Sequence, residues 1–327
     1  MTTIPDRARR APWKATLVLS ALSALLILAG CGSTGASDPI LAARVDGQPI
    51  TLQQYQMVLN FYKAGAAQNS TATDWQSPAG RSGLVNVESS SLDILINTEL
   101  MRDQLQNCHI AVPQKTLDSW KSQFDHQITL VRQQISSNPS LRPLLNAVTP
   151  DFESFLVHQQ AYQQTLVAHI AVPSVHVRAI LVSSMADALQ LEQQAKNGAD
   201  FGQLAHDHSL DAQTAQKNGD LGTVYIGELA QNAPAFDQQV FGKVRVNGTT
   251  NSCATSYTYG AEPKYLTAAN GNQVLLFEVT DYGAQPLSQI QNQTAQQNTF
   301  DKWLTMFVRS RANVERFIQV PTTVKPQ

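Results

Sequence analysis

Charge is scarce in this chain. Asp, Glu, Lys and Arg make up 15% of its 327 residues, against about 25% in an ordinary soluble domain. The cations are spread thinly along the sequence. That leaves no basic footprint for a nucleic acid and no polybasic helix for a membrane surface. Cysteine is equally sparse, at three residues. There is no C-x-x-C and no Cys/His spacing that would build a metal site. His206 and His208 flank Asp207, but alternate positions on a helix point about 200° apart at 3.6 residues per turn, so they do not chelate together. His208, Ser209 and Asp211 lack the nucleophile elbow of a hydrolase. No internal repeat is present. No apolar run reaches the roughly 20 residues of a membrane-spanning helix.

The longest greasy segment, Ala15 to Leu28, follows Arg7, Arg9, Arg10 and Lys14 and ends in Leu28-Ala29-Gly30-Cys31. A basic head, a short apolar stretch and a small-residue cleavage site make a secretory signal. A cysteine directly after Leu-Ala-Gly resembles the bacterial lipobox, which implies that residues 1–30 are removed and Cys31 is lipidated. The mature chain is then expected outside the cytoplasm, tethered to a bacterial membrane. Four of the 23 basic and one of the 25 acidic residues lie in 1–30, so residues 31–327 carry 19 and 24, a net charge of −5. An oxidising compartment permits a disulfide between Cys108 and Cys253. Two independent thiols are the expectation, since the two lie far apart in sequence.

Residues 31–38 read as a flexible tether. Thr51 and Gln54 form a capping box before a helix from Leu52 to Ala64. Residues 66–83, rich in Gly, Ser, Thr and Asn, read as a loop. Apolar stripes through Leu92, Ile96 and Leu100 and through Ile94, Met101 and Leu105 predict a helix over 87–105, buried on most sides. Further helices are expected from Thr116 to Ile135 and, capped by Thr149 with Pro150 in its first turn, onward to about His169. The texture changes at Pro173. A strand over 175–182, a helix over 185–197 ended by Gly198, a short helix capped by Asp200, a turn at Gly219–Gly222, a helix over 234–241 and a strand over 273–280 make an α+β unit. Helical periodicity returns with Phe300, Leu304 and Phe307, Trp303 beside them.

The segment 175–283 resembles the parvulin-type peptidyl-prolyl cis/trans isomerases. The likeness is carried in order by Ala179-Ile180-Leu181-Val182, Gly198-Ala199-Asp200-Phe201, Leu204-Ala205, Ser209-x-Asp211, Gly219-Asp220-Leu221-Gly222, Gly227-Glu228-Leu229 and Pro234-Ala235-Phe236. The stretch Ala43 to Thr51 looks like the start of the chaperone domain of extracytoplasmic foldases of the SurA and PrsA kind. Phe300 to Phe317 looks like their returning C-terminal helix. The resemblance implies a helical chaperone-like domain (39–172), an inserted parvulin-like domain with an antiparallel sheet surrounded by helices (173–285), and a C-terminal helix packing back on the first domain (286–327).

Prolyl isomerisation breaks no covalent bond, and no cofactor or metal is expected. The barrier is amide resonance, ~18–20 kcal/mol. A catalyst holds the proline ring in an apolar cup and favours the twisted amide, which is differential binding to a transition state. The resemblance places Leu229 and Phe236 at the proline pocket, Ala179 at its floor and Asp211 facing the amide. It also implies a pair of histidines across adjacent strands. The first position is Ala179 here, and no histidine stands near Leu275, where the second is expected. His176 lies three residues upstream of Ala179 and points to the opposite face of the strand. The function implied is a membrane-anchored foldase that isomerises X-Pro bonds in unfolded secreted chains. The alternative is a non-catalytic chaperone that uses the parvulin domain to bind peptides. A solute-binding lipoprotein would need two α/β lobes with parallel strands, against the helix-rich flanks.

Overall fold

The structure, a computed structural model, describes residues 39–66, 75–229, 233–246 and 257–318. The signal-like head, Cys31, the tether and Cys253 lie outside the described residues. Ile40–Gln327 clusters as one compact unit.

The chain enters through an antiparallel hairpin, β1 (Leu41–Val45) and β2 (Gln48–Thr51). Its turn is Asp46-Gly47, both at positive φ (47° and 85°), where glycine carries no Cβ penalty. Helix α1 (Leu52–Ala66) starts on the capping box: Gln54 N–H donates to Thr51 Oγ1 and Thr51 N–H to Gln54 Oε1 (3.2 and 2.8 Å). Helix α2 (Pro78–Asn107) begins well before Val87, inside the stretch expected to be a loop. Ser77 accepts the Gly80 N–H at 3.0 Å and Pro78 occupies the first turn, a start signal that the polar composition around it conceals. Helices α3 (Gln114–Gln134), α4 (Arg142–Ala147) and α5 (Pro150–His169) complete the helical segment. Thr149 caps α5 through the Phe152 N–H.

Only Ile170 separates α5 from strand β3 (Ala171–Val182). The strand therefore starts before Pro173, not after it. Pro173 is tolerated because β4 (Asp220–Tyr225) pairs with β3 from Ser174 onward, so the missing N–H breaks no rung on that side. Between β3 and β4 lie α6 (Met185–Lys196), α7 (Phe201–His208) and α8 (Ala212–Ala215). After β4 come α9 (Pro234–Phe241), the two-residue strands β5 (Arg245–Val246) and β6 (Tyr257–Thr258), then β7 (Tyr265–Asn270) and β8 (Gln273–Pro286). The main sheet is antiparallel in the order β4-β3-β8-β7. The C-terminal segment returns as α10 (Gln293–Trp303), a π-helical turn over Leu304–Arg309 and β9 (Val314–Arg316), which pairs with β1. Arg309 and Arg316 both reach Asp93 on α2, at 2.7 and 2.6 Å.

The core is continuous across these segments. Leu92, Phe152, Phe236, Phe277 and Trp303 belong to one buried cluster. A smaller cluster on the other face of the main sheet joins Ile180 and Leu276 to Leu191, Phe201 and Leu204. The seam between helices and sheet is hydrogen-bonded: Trp303 Nε1–H donates to Tyr257 Oη (3.1 Å), whose hydroxyl donates to the Ala171 carbonyl (2.7 Å). Burial holds the Tyr257 phenol well above its usual range. One expectation fails here. Cys108, at the end of α2, is disulfide-bonded and is not an independent thiol. Separation in sequence says little about distance once a chain of this size has folded.

Candidate functional site

The site is built on β3 and β8, where Ala179 pairs with Phe277 and Leu181 with Leu275. Val175, Val177 and Ala179 face the larger core and Ile180 and Val182 the smaller one. His176 therefore stays on the face opposite Ala179, where it meets Asp220 at 3.0 Å. The residue directly across from Ala179 is Phe277, two positions beyond Leu275. Sequence spacing alone does not fix a register, because β8 carries a bulge opposite His176 and Val177. Ala179 thus faces apolar Phe277, and Leu275, paired with Leu181, is apolar as well.

The Ser209-x-Asp211 motif is strapped onto β3. Ser209 Oγ accepts the Leu181 N–H (3.1 Å) and the Asp211 N–H (3.3 Å), and the Leu210 N–H donates to the Leu181 carbonyl (2.7 Å). Asp211 is half-buried, and its Oδ1 caps α8 by accepting the Gln213 N–H at 3.0 Å. From α8 the chain reaches Gly219, whose N–H donates to Thr214 and whose carbonyl accepts the Ala179 N–H (both 2.8 Å). Gly219 sits at φ 80°, and a Cβ there would lie 2.8 Å from both the Ala179 carbonyl oxygen and the Ala205 Cβ. Glycine is required on both counts. The motif residues thus form one strap running from Leu181 back to Ala179.

The Gly227-Glu228-Leu229 turn is pinned from the other side. The Gly227 N–H donates to buried Asp237 Oδ1 at 2.6 Å, and Asp237 Oδ2 meets Lys302 of α10 at 3.3 Å. Glu228 folds back to accept the Tyr225 N–H at 3.0 Å, while burial holds its carboxyl above the usual range. Leu229 is partly buried, and its carbonyl accepts the Ala233 N–H at 2.7 Å, leading into α9. Phe236 on α9 is fully buried, with its ring centroid 4.6 Å from that of Phe277 and 6.3 Å from that of Phe241. Ala179 is 3% exposed.

The four candidate residues thus divide. Phe236 and Ala179 meet through Phe277 inside the core, and Leu229 and Asp211 lie toward the surface. The sequence reading missed Asp237 and Lys302, which hold the turn. The signal was an acidic residue directly after Phe236, on a helix packed among apolar neighbours. It also missed Leu210 and Leu221, exposed leucines (56% and 40%) inside the two motifs that strap β3. Opposite Ala179's face, buried Glu278 lies 3.1 Å from Arg178 Nε and 3.6 Å from Lys264 Nζ.

The chain is similar to several known proteins. The description "SurA-like N-terminal domain" matches residues 2–139, and "PPIC-type PPIASE domain" matches residues 155–259. Foldase protein PrsA of Caldanaerobacter subterraneus is 26% identical over 254 residues, covering 75% of this chain and 80% of that protein. A parvulin-like PPIase of Rickettsia bellii is 26% identical over 168 residues, with 50% of this chain and 53% of the relative covered. Among solved structures, a PrsA peptidylprolyl isomerase of Bacillus anthracis is 15% identical at a TM-score of 0.28, covering 67% of this chain and 92% of that one. A structure from the study of the SurA-like chaperones PEB4 and Cj1289 of Campylobacter jejuni is 14% identical at 0.26, covering 83% and 95%. The chain therefore carries a SurA-like N-terminal domain and a PPIC-type peptidyl-prolyl isomerase domain, and is similar to PrsA foldases and parvulin-like PPIases.

Proposed function

We propose that this protein is a foldase of the cell envelope, anchored through a lipid on Cys31, that binds unfolded secreted chains and isomerises their X-Pro bonds. The reading divides the chain into a helical chaperone segment (39–172), a parvulin unit (173–285) and a returning C-terminal segment (286–327). The observation that carries it is the strap from Leu181 through Ser209, Asp211 and Gly219 back to Ala179. It holds the motif residues in a fixed frame beside the tilted Phe236–Phe277 ring pair. A proline ring is held against Leu229, with Phe236 and Phe277 as the rigid wall behind it, and Asp211 faces the carbonyl side of the twisting amide. A catalyst of this kind acts on a step that otherwise takes tens to hundreds of seconds. The disulfide at Cys108 supports an oxidising compartment.

A second reading has its own observation. Ala179 stands at the first expected histidine position, and both Leu275 and Phe277 on the facing strand are apolar, so no imidazole stands there to orient Asp211. A non-catalytic chaperone that uses the parvulin unit for peptide binding is the alternative. A protease-coupled assay on short X-Pro peptides, run beside aggregation of an unrelated unfolded client, separates the two. Accelerated isomerisation supports the foldase. Suppressed aggregation without acceleration assigns the chaperone role and removes the catalytic one. Mass spectrometry of the mature N-terminus tests the anchor, and an unlipidated Cys31 refutes it.

A further inference from the structure

One buried carboxylate ties both sides of the candidate site to a part of the chain outside the parvulin unit. Asp237 follows Phe236 on α9, and Leu229 lies two residues past Gly227. Asp237 is 5% exposed, and its two oxygens have different partners. Oδ1 accepts the Gly227 N–H at 2.6 Å, and Oδ2 lies 3.3 Å from Lys302 Nζ. Lys302 stands on α10, in the returning C-terminal segment.

The stem of Lys302 matters as well as its charge. Gly227 sits at φ 83°, and a Cβ there would lie 3.0 Å from Lys302 Cβ and 3.3 Å from its Cγ. The backbone of the turn therefore lies directly on the lysine stem. The turn is closed on itself: the Glu228 N–H donates to the Tyr225 carbonyl, and the Glu228 carboxylate accepts the Tyr225 N–H (both 3.0 Å). Upstream, the Ile226 N–H donates to the Pro173 carbonyl at 3.1 Å. The chain is thus fixed to β3 as far as Ile226. Beyond it, the Gly227–Asp237 bond sets where Leu229 stands relative to α9.

Helix α10 is itself seated on the helical segment. Phe300 and Trp303 are buried in the larger core, and the Gln163 amide of α5 donates to Gln297 Oε1 at 2.5 Å. A buried carboxylate keeps its charge only when it is paired and hydrogen-bonded. Without the Lys302 ammonium, Asp237 takes up a proton or turns toward water. Either change weakens its charge-assisted bond to Gly227, and Leu229 loses its fixed place beside Phe236.

We propose that Lys302 is a positioning residue for the X-Pro site, acting through Asp237 and Gly227 on Leu229. The parvulin unit (173–285) does not contain it, so the site is complete only with the returning segment in place. The identity of the site rests on the foldase reading above; the linkage rests on the contacts of Asp237, Gly227 and Lys302.

The test uses the full-length protein in detergent. It reads kcat/KM in the protease-coupled assay, the affinity of a fluorescein-labelled X-Pro peptide by anisotropy, and deuterium exchange at the Gly227 amide. Lys302→Met should lower kcat/KM and affinity by about threefold to fivefold, no more than truncating Leu229 itself. It should also speed exchange at Gly227, since the opening is local. Lys302→Arg keeps the charge and should restore most of the loss. Asp237→Asn keeps an acceptor for Gly227 without the ion pair. It should show a smaller loss in the same direction, and keeps the test decisive should Lys302→Met fail to fold. In the double variant with Leu229→Ala, Lys302→Met should add nothing, because its effect runs through Leu229. Unchanged kcat/KM and affinity in the variants that fold, unchanged Gly227 exchange, or additive losses in the double variant each overturn the proposal. A wild-type protein that binds the peptide without accelerating isomerisation removes only the catalytic reading, and the affinities then decide the role of Lys302 by the same comparisons. A wild-type protein that does neither overturns both.

Discussion

Phe236 and Leu229 belong to the same candidate site but should fail differently when truncated. Phe236 is fully buried and packs on Phe277 at 4.6 Å between centroids. Phe→Ala at such a position removes about 3–5 kcal/mol, transfer and cavity terms together. That is a large share of the roughly 5–15 kcal/mol that holds an ordinary domain folded. Leu229 is partly buried at the rim of the same cluster. Full burial of a leucine is worth about 1.5–3 kcal/mol, so Leu229→Ala should cost roughly 1 kcal/mol of stability. If Leu229 touches the proline ring, a further ~1 kcal/mol lost from the transition state lowers kcat/KM about fivefold. Urea unfolding and the X-Pro peptide assay on both variants separate the roles. The expected pattern is a large stability loss for Phe236→Ala and a loss of turnover with little destabilisation for Leu229→Ala. The reasoning is refuted if Phe236→Ala costs less than about 1 kcal/mol. It is also refuted if that variant abolishes turnover with stability intact while Leu229→Ala turns over normally.

Removing the Cys108 disulfide, by reductant or by Cys108→Ser, should destabilise the protein by about 2–4 kcal/mol. An unreduced digest analysed by mass spectrometry should link the Cys108 peptide to that of Cys253, since a lipidated Cys31 has no free sulfur. Asp93 receives both Arg309 and Arg316 in partly exposed pairs. Asp93→Ala should therefore cost about 1 kcal/mol in urea unfolding, and that cost should shrink in high salt. The Glu228 carboxyl is raised by burial, against the pull of the Tyr225 N–H. A raised acid binds its proton more tightly folded than unfolded, so its contribution to stability declines as pH rises from about 4.3 through the raised value. Glu228→Gln keeps an acceptor for the Tyr225 N–H, and melting temperatures across that window should fall less steeply with pH than in the wild type.

Local chemistry made much of this fold legible before any coordinates. Thr51 with Gln54, Thr149 with Pro150 and Asp200 with Gln203 start helices through hydrogen bonds a few residues long, and all three form. Glycine at Gly219 and the alternation from Val175 to Val182 are likewise local requirements of backbone and pleat. Ser77 was overlooked because it lies in a polar stretch that reads as loop on composition.

The order of amino acids was enough to specify most of the elements, their caps, and the parvulin-like motifs in their sequence. These depend on contacts within one turn or one strand, where spacing along the chain equals spacing in space. Long-range packing was needed to put Phe277 across from Ala179, and the one-residue bulge opposite His176 and Val177 sets that register. The same packing buries Phe236 fully and sets Asp237 and Lys302 against the Gly227 turn. Most of these groupings join residues separated by tens of positions, and the fit of whole elements against one another, rather than local preference, sets which of them meet.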